Sequence, residues 1–221
     1  VEHECVGDAY TFDPVVLGDR ECDAWVHYYR HEWGPFLRDS LGLVSEGFGL
    51  GPRRTLVGAW LVLRANQVWA PYPDNDADAA REYMRRFYAL VVADGSLDVD
   101  PVEAARREVQ WWHIHRVHQR EDDVTETVLR SSLAPHGSIV APLVDAVAHL
   151  YGYVYAVPEE TVGQAARLRV AAMALSDTWV QAGCWLTDPT LVEERRTLIA
   201  SYSALRAAID EQGLAATPHS S

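Results

Sequence analysis

The sequence predicts an all-α fold, a single compact domain of about seven to nine helices. Three observations predict it. Apolar residues recur with a 3.6-residue period over most of the chain. Many of these segments open on a capping signal and close on Gly or Pro. No convincing run of period-2 alternation lies between turn signals.

Residues 1–17 read as irregular, with Asp13-Pro14 as a turn. A first helix is predicted from about Asp19 to Trp33, with Cys22, Trp25, Val26, Tyr29 and Trp33 on its apolar side. Gly34-Pro35 breaks it, and a short helix carries Phe36, Leu37, Leu41 and Val44. After the loop Gly47–Pro52, a helix over about 53–69 places Leu56, Trp60, Leu63 and Val68 on one side. Asp74-Asn75-Asp76 supplies caps for a helix over 77–93 that Gly95 closes. The next helix, over about 101–120, has Asp100 to cap it, Pro101 at its first position and Glu103 for a capping box.

Glu121-Asp122-Asp123 is read as the start of a further helix to about Leu133. An apolar helix over 138–156 follows the turn Pro135–Gly137. Val and Tyr within 151–157 suit a short strand, but they continue the helical pattern. Pro158-Glu159-Glu160 opens a long amphipathic helix ending at Gly183, and Asp188-Pro189 opens the last, with Leu191, Leu198, Tyr202, Leu205 and Ile209. The expected organisation is an irregular segment 1–18, a helical domain 19–212 and a disordered tail 213–221.

Composition narrows the function. A net charge of −13 with no concentrated basic run disfavours nucleic acid and anionic membranes as partners. The 19 basic residues are all Arg, so Schiff-base chemistry on lysine is excluded. The 3 cysteines are widely spaced and form no CxxC, against a disulfide framework or zinc finger and in keeping with a cytoplasmic protein. The acidic, polar N-terminus does not resemble a signal peptide. The apolar stretch 137–157 contains Pro142, Asp145 and His149. A charge at mid-bilayer costs about 2.5–3.5 kcal/mol, so a core helix is preferred over a membrane span.

The most informative stretch is Glu108–Gln119. At 100° per residue, Ala104, Glu108, Trp111, Trp112, His115, His118 and Gln119 share one face. Arg106, Val109, His113, Arg116 and Val117 occupy the opposite one. Indoles beside a carboxylate, an imidazole and an amide make the mixture that lines ligand pockets. His115 is the candidate acid/base, with Glu108 fixing its tautomer. Trp111, Trp112 and Gln119 are candidate substrate contacts.

Other helices add polar groups on apolar faces. Arg64 sits with Trp60 on the third helix. Asp145, His149 and Tyr153 form a stripe on the apolar helix. Arg169 sits near Met173 on the long one. Buried charges must find partners. They form a salt-bridge network, for example Arg64–Glu108 or Arg169–Asp145, or the wall of a cavity for an organic molecule, or, where the helix phase is wrong, they face solvent.

His27 and His31 are expected on a solvated face. Asp74–Asp78 begins like a calcium loop but lacks the Gly at position six and the closing Glu at twelve. No metal site is predicted, since a di-iron bundle needs more inward acids. No cofactor is favoured, with heme or iron left open. No family signature is matched residue by residue.

Two functions follow, with a heme- or metal-dependent oxygenase ranked behind both. One is a small helical enzyme using acid/base chemistry on an apolar small-molecule ligand. The other is a non-catalytic binding or accessory module presenting an indole such as Trp111 or Trp185. A homo-oligomer is compatible with either.

Overall fold

The computed structural model describes residues 11–129 and 140–216. These contain eight helices: α1 (Pro14–Tyr29), α2 (Trp33–Phe48), α3 (Pro52–Trp69), α4 (Ala77–Asp94), α5 (Pro101–Leu129), α6 (Val140–Tyr155), α7 (Glu159–Gln181) and α8 (Thr190–Ala216). There is no strand among the described residues, and residues 151–155 are helical.

The helices form one compact domain. Each packs mainly on its neighbours in the chain, and α8 returns to pack on α1. This cyclic order arranges the helices around a shared interior. A helix with its side chains is only about 10–12 Å across, so neighbour packing alone does not fill the middle of such a ring. Long side chains must do so, and the indoles, Met and Arg of the sequence supply them.

Local chemistry moves several predicted boundaries. α1 begins at Pro14 rather than near Asp19, because Asp13 and Pro14 cap a helix instead of turning the chain. The Asp13 carboxylate accepts from the Val15 and Val16 amides at 2.8 and 3.4 Å, and Pro14 takes the first position, where no amide is needed. Residues 14–18 therefore belong to the helical domain. The break after α1 falls at His31 (φ 57°), before Gly34-Pro35, which sit in the first turn of α2. α4 matches its capping signals: Asp76 accepts from the Ala79 amide at 2.8 Å, and Gly95 (φ 86°) closes the helix.

α5 runs unbroken to Leu129, whereas a second helix was predicted from Glu121. Acids can start a helix, but no Gly or Pro stands there to end the one already running. Glu103 does not close a capping box; it pairs with Arg106 and Arg107 at 2.7 Å each. The expected helix end at Leu133 and the turn Pro135–Gly137 lie outside the described residues. α8 continues to Ala216, beyond the start of the predicted tail. No helix is long and apolar enough to cross a membrane among the described residues.

α3 keeps part of its predicted face, since Leu63 is buried and Val68 packs on the core, but loses Leu56 and Trp60 from it. Gly58, Ala59 and Ala65 point inward, while Leu56 and Trp60 are 56% and 52% exposed. The small residues let α3 approach its neighbours closely: a Cβ on Gly58 would meet Val44 at 3.0 Å and Phe87 at 3.4 Å.

The α1–α8 closure has a similar contact at Gly18. A Cβ there would lie 2.7 Å from the Ile199 backbone nitrogen and 2.8 Å from its Cα. Because backbone must move to relieve this, Gly18→Ala is expected to destabilise the domain by roughly 1–3 kcal/mol. Urea unfolding should show a lower midpoint; an unchanged midpoint would mean that the closure is not tight.

Candidate active site

Three cavities lie among the described helices. One, of about 290 Å³, is lined by His115 and His118 of α5, Leu143 and Val144 of α6, and Met173 and Asp177 of α7. The other two share a wall. The first of these two chambers has a volume of about 80 Å³ and lies between α1, α2, α3, α5 and α7. Its polar wall is Tyr28, Tyr29, Asn66, His115, Arg116 and Gln119; Trp69 and Met173 are among its apolar residues. The second has a volume of about 220 Å³, and all eight helices contribute to it. Trp25, Phe36, Asn66, Trp111 and Trp112 line both chambers, so side chains rather than backbone divide them.

In the first chamber His115 is paired with a carboxylate, but not the expected one. Its Nε2 lies 3.1 Å from Asp177 Oδ2 on α7, and its side chain is 13% exposed. With Asp177 ionised, that nitrogen is the donor, which leaves Nδ1 with the lone pair. Asp177 thus fills the orienting role assigned to Glu108. Asp177 follows Met173 by one turn of α7, so the inward position was readable by phase. It stayed hidden beside the more apolar neighbours Ser176 and Trp179.

Gln119 completes the cluster. Its Nε2 donates to Asp177 Oδ1 at 2.5 Å and to Tyr29 Oη at 2.9 Å. The carboxylate fixes this amide orientation, because the amide oxygen would repel it. Arg116, placed by helix phase on the opposite face, reaches the chamber and donates to Tyr28 Oη at 2.8 Å. Val109, also expected on that face, is buried. A 29-residue helix enclosed by neighbours buries more than one stripe.

Glu108 faces the second chamber. It accepts from Tyr88 Oη at 2.8 Å and from the Trp111 and Trp112 indoles at 3.0 Å each. Burial pushes its carboxyl above the ordinary range, against these three donors and the positive charge of Arg169. Arg169, 9% exposed, makes a bidentate pair with Glu21 of α1, with one contact at 2.8 Å. Tyr151 accepts from Arg169 at 3.2 Å, and Tyr202 donates to Glu21 at 2.8 Å. Trp25 and Trp111 lie 5.7 and 5.3 Å from the guanidinium.

Four predicted contacts fall elsewhere. Trp60 is on the outer face of α3. Arg64 donates to Gln67 at 2.7 Å and lies over Tyr83, outside both chambers, so no Arg64–Glu108 pair forms. Asp145 is exposed, so Arg169–Asp145 does not form either. His149 is exposed and pairs with Glu159 at 3.1 Å. α6 buries the Leu143, Val147, Leu150 and Val154 side instead. His27 is also misplaced: it is largely buried between Glu32 at 2.7 Å and Asp39 at 3.4 Å, whereas His31 is exposed as expected. No group of three or more His, Cys, Asp and Glu side chains suited to a metal exists among the described residues.

Glu194 of α8 is 0% exposed, and neither of its oxygens has a hydrogen-bond partner. The nearby Cys22 thiol is directed at Leu191 O, 3.9 Å away. Burial, with the negative charges of Glu21 and Asp177, raises Glu194 from 4.5 to about 8. The same burial raises the Cys22 thiol, which makes it a poor nucleophile at neutral pH.

No family model, curated protein or solved structure matches this chain. The reading of the site therefore rests on its geometry.

Two stability outcomes are expected. Arg169→Met leaves Glu21 buried and unpaired, and should cost roughly 3–5 kcal/mol by denaturant unfolding. A cost under about 1 kcal/mol would remove Arg169 as the central tie. For Glu194, the folded-state pKa lies above the unfolded one. Its contribution is therefore fully present below pH 4.5 and is lost as pH rises through about 8. Glu194→Gln should flatten the fall in melting temperature between pH 5 and 9, a difference of roughly 4 kcal/mol. Parallel pH profiles for the two proteins would contradict this.

Proposed function

We propose that the chain is a small helical enzyme acting on an apolar organic molecule by general acid–base chemistry, with His115 as the acid/base. The observation that carries this reading is His115, paired with Asp177, in the wall of an aromatic chamber. A neutral imidazole whose Nε2–H is held by a carboxylate presents Nδ1 as a base, and the same carboxylate stabilises the imidazolium that follows. Gln119 holds the carboxylate in place. The indoles of Trp25, Trp69, Trp111 and Trp112 make the walls apolar.

The ligand this arrangement suits carries no net charge. Arg169 is neutralised by Glu21, and Glu108 is satisfied by three donors, so neither is free to hold an ionic group. Trp111, Trp112 and Met173 supply contact area, with Arg169 behind them as structural support. The second reading is a non-catalytic binding module. Trp111, one of its two proposed contact indoles, is buried; Trp185 and Leu186, at 68% and 61% exposed, form an outward apolar pair that favours it.

Turnover of a panel of apolar ketones, esters and alcohols, read by mass spectrometry, tests the proposal. His115→Ala is expected to lower turnover by about 10²–10⁴-fold with little change in melting temperature. Asp177→Asn should also lower turnover, because it disturbs the tautomer. Equal activity in wild type and His115→Ala would overturn the reading. Probes that quench the indole fluorescence without being turned over would favour the binding module.

A further inference from the structure

Tyr28 and Tyr29 are consecutive residues at the end of α1, and both line the His115 chamber. Each phenolic oxygen accepts a hydrogen bond: Tyr28 from Arg116 at 2.8 Å, Tyr29 from Gln119 at 2.9 Å. An amide nitrogen and a guanidinium donate only, so neither can take the phenolic proton. Neither hydroxyl donates to any group among the described residues. Both tyrosines are half-buried, and their two O–H donors are therefore left to serve something in the chamber. Burial also raises both phenols above their ordinary pKa, so they keep their protons at physiological pH.

We infer that Tyr28 and Tyr29 form an oxyanion-stabilising pair opposite His115, and that the substrate class is an uncharged apolar ketone which the site enolises. This deepens the proposed acid–base reading and rests on it. The step balances without a co-reactant. The Cα–H bond breaks and its proton passes to Nδ1 of His115. The electron pair of that bond becomes the C=C bond of the enolate. The carbonyl π pair moves to oxygen, which accepts the hydrogen bonds of Tyr29 and Tyr28. Asp177 stabilises the imidazolium, which returns the proton to the same carbon or to a conjugated one. The net result is proton exchange, racemisation or double-bond migration.

Arg116 and Gln119 act as positioning residues. By occupying the oxygen lone pairs they direct the two O–H bonds away from themselves, and a donor fixed before the reaction costs no reorganisation when charge develops. The second chamber, which shares Trp25, Trp111 and Trp112 with the first, takes the rest of the molecule. A cavity of about 150 Å³ already accommodates benzene, and the second chamber is about 220 Å³.

The test uses the full chain and 1-indanone, an uncharged bicyclic ketone, in D₂O. Deuterium incorporation at its α-carbon is followed by mass spectrometry, and binding by quenching of the indole fluorescence. Wild type is expected to accelerate exchange over buffer, and His115→Ala to abolish the acceleration. Tyr29→Phe should reduce exchange by about 10²-fold, with Tyr28→Phe in the same direction. Both Tyr variants should bind the ketone within a few-fold of wild type and melt at nearly the same temperature. Wild-type exchange in Tyr29→Phe would overturn the oxyanion role while leaving His115 as the base. Ketone binding without exchange, or no binding, would overturn the enolisation even if other compounds in the panel are turned over. Exchange in His115→Ala equal to wild type would remove the acid–base reading as well.

Discussion

The structure is organised around a charge that burial does not remove. An arginine keeps its proton at any pH the fold experiences, so Arg169, placed in mid-helix and buried, requires compensation. It obtains this from Glu21, with Tyr151 accepting from the guanidinium and Tyr202 donating to Glu21. Those four residues lie on α7, α1, α6 and α8. The indoles that flank the guanidinium add α1 again and α5. One cation therefore ties five of the eight helices at the centre of the ring. Because the pair is bidentate, it also fixes the rotation of α7 against α1, the two helices that Gln119 bridges again through Asp177 and Tyr29.

Ring closure and the interior chambers are linked. α8 approaches α1 closely at Gly18, and α3 approaches its neighbours through Gly58. Tight edges with small residues bring the helix axes together around a centre that no backbone occupies. Aromatic side chains from opposite helices fill part of that centre and leave two volumes with a shared wall. The wall is made of side chains with rotatable bonds, whereas the rim is packed helix.

Much of this was legible in the sequence where the signal was local. The helix class, the Asp76 cap, the Gly95 stop and the inward face of Glu108, Trp111, Trp112, His115 and Gln119 all follow from spacing and capping chemistry. The failures have a common cause. On α3 the bulkiest apolar residues were assumed to be buried, but close approach selected Gly58, Ala59 and Ala65 and left Trp60 outside. On α6 a polar stripe was read as inward because it was regular, yet a regular stripe of Asp145 and His149 is equally what a solvated face looks like. Partner identity was the least legible feature. Glu21, Asp177 and Tyr29 stand 148, 62 and 90 residues from the side chains they serve, and helix phase places a residue on a face without saying what it meets there.

The two inward acids on α5 and α7 show how environment divides roles between like groups. Glu108 is enclosed by two indole donors and a phenol, which satisfy its oxygens and leave nothing to offer a reacting proton. Asp177 is bound on one oxygen by an amide that only donates and on the other by an imidazole that can exchange its proton state. Burial raises Glu108 while its donors oppose that shift, so its charge is balanced locally and its effect is structural. Asp177 instead pairs with an imidazole that lines the chamber. Pairs of titratable groups held in such different surroundings are how a fold separates support from chemistry. Here the separation is spatial: Arg169, Glu21 and Glu108 line the chamber to which all eight helices contribute, whereas Asp177 pairs with His115 beside the chamber lined by Tyr28 and Tyr29.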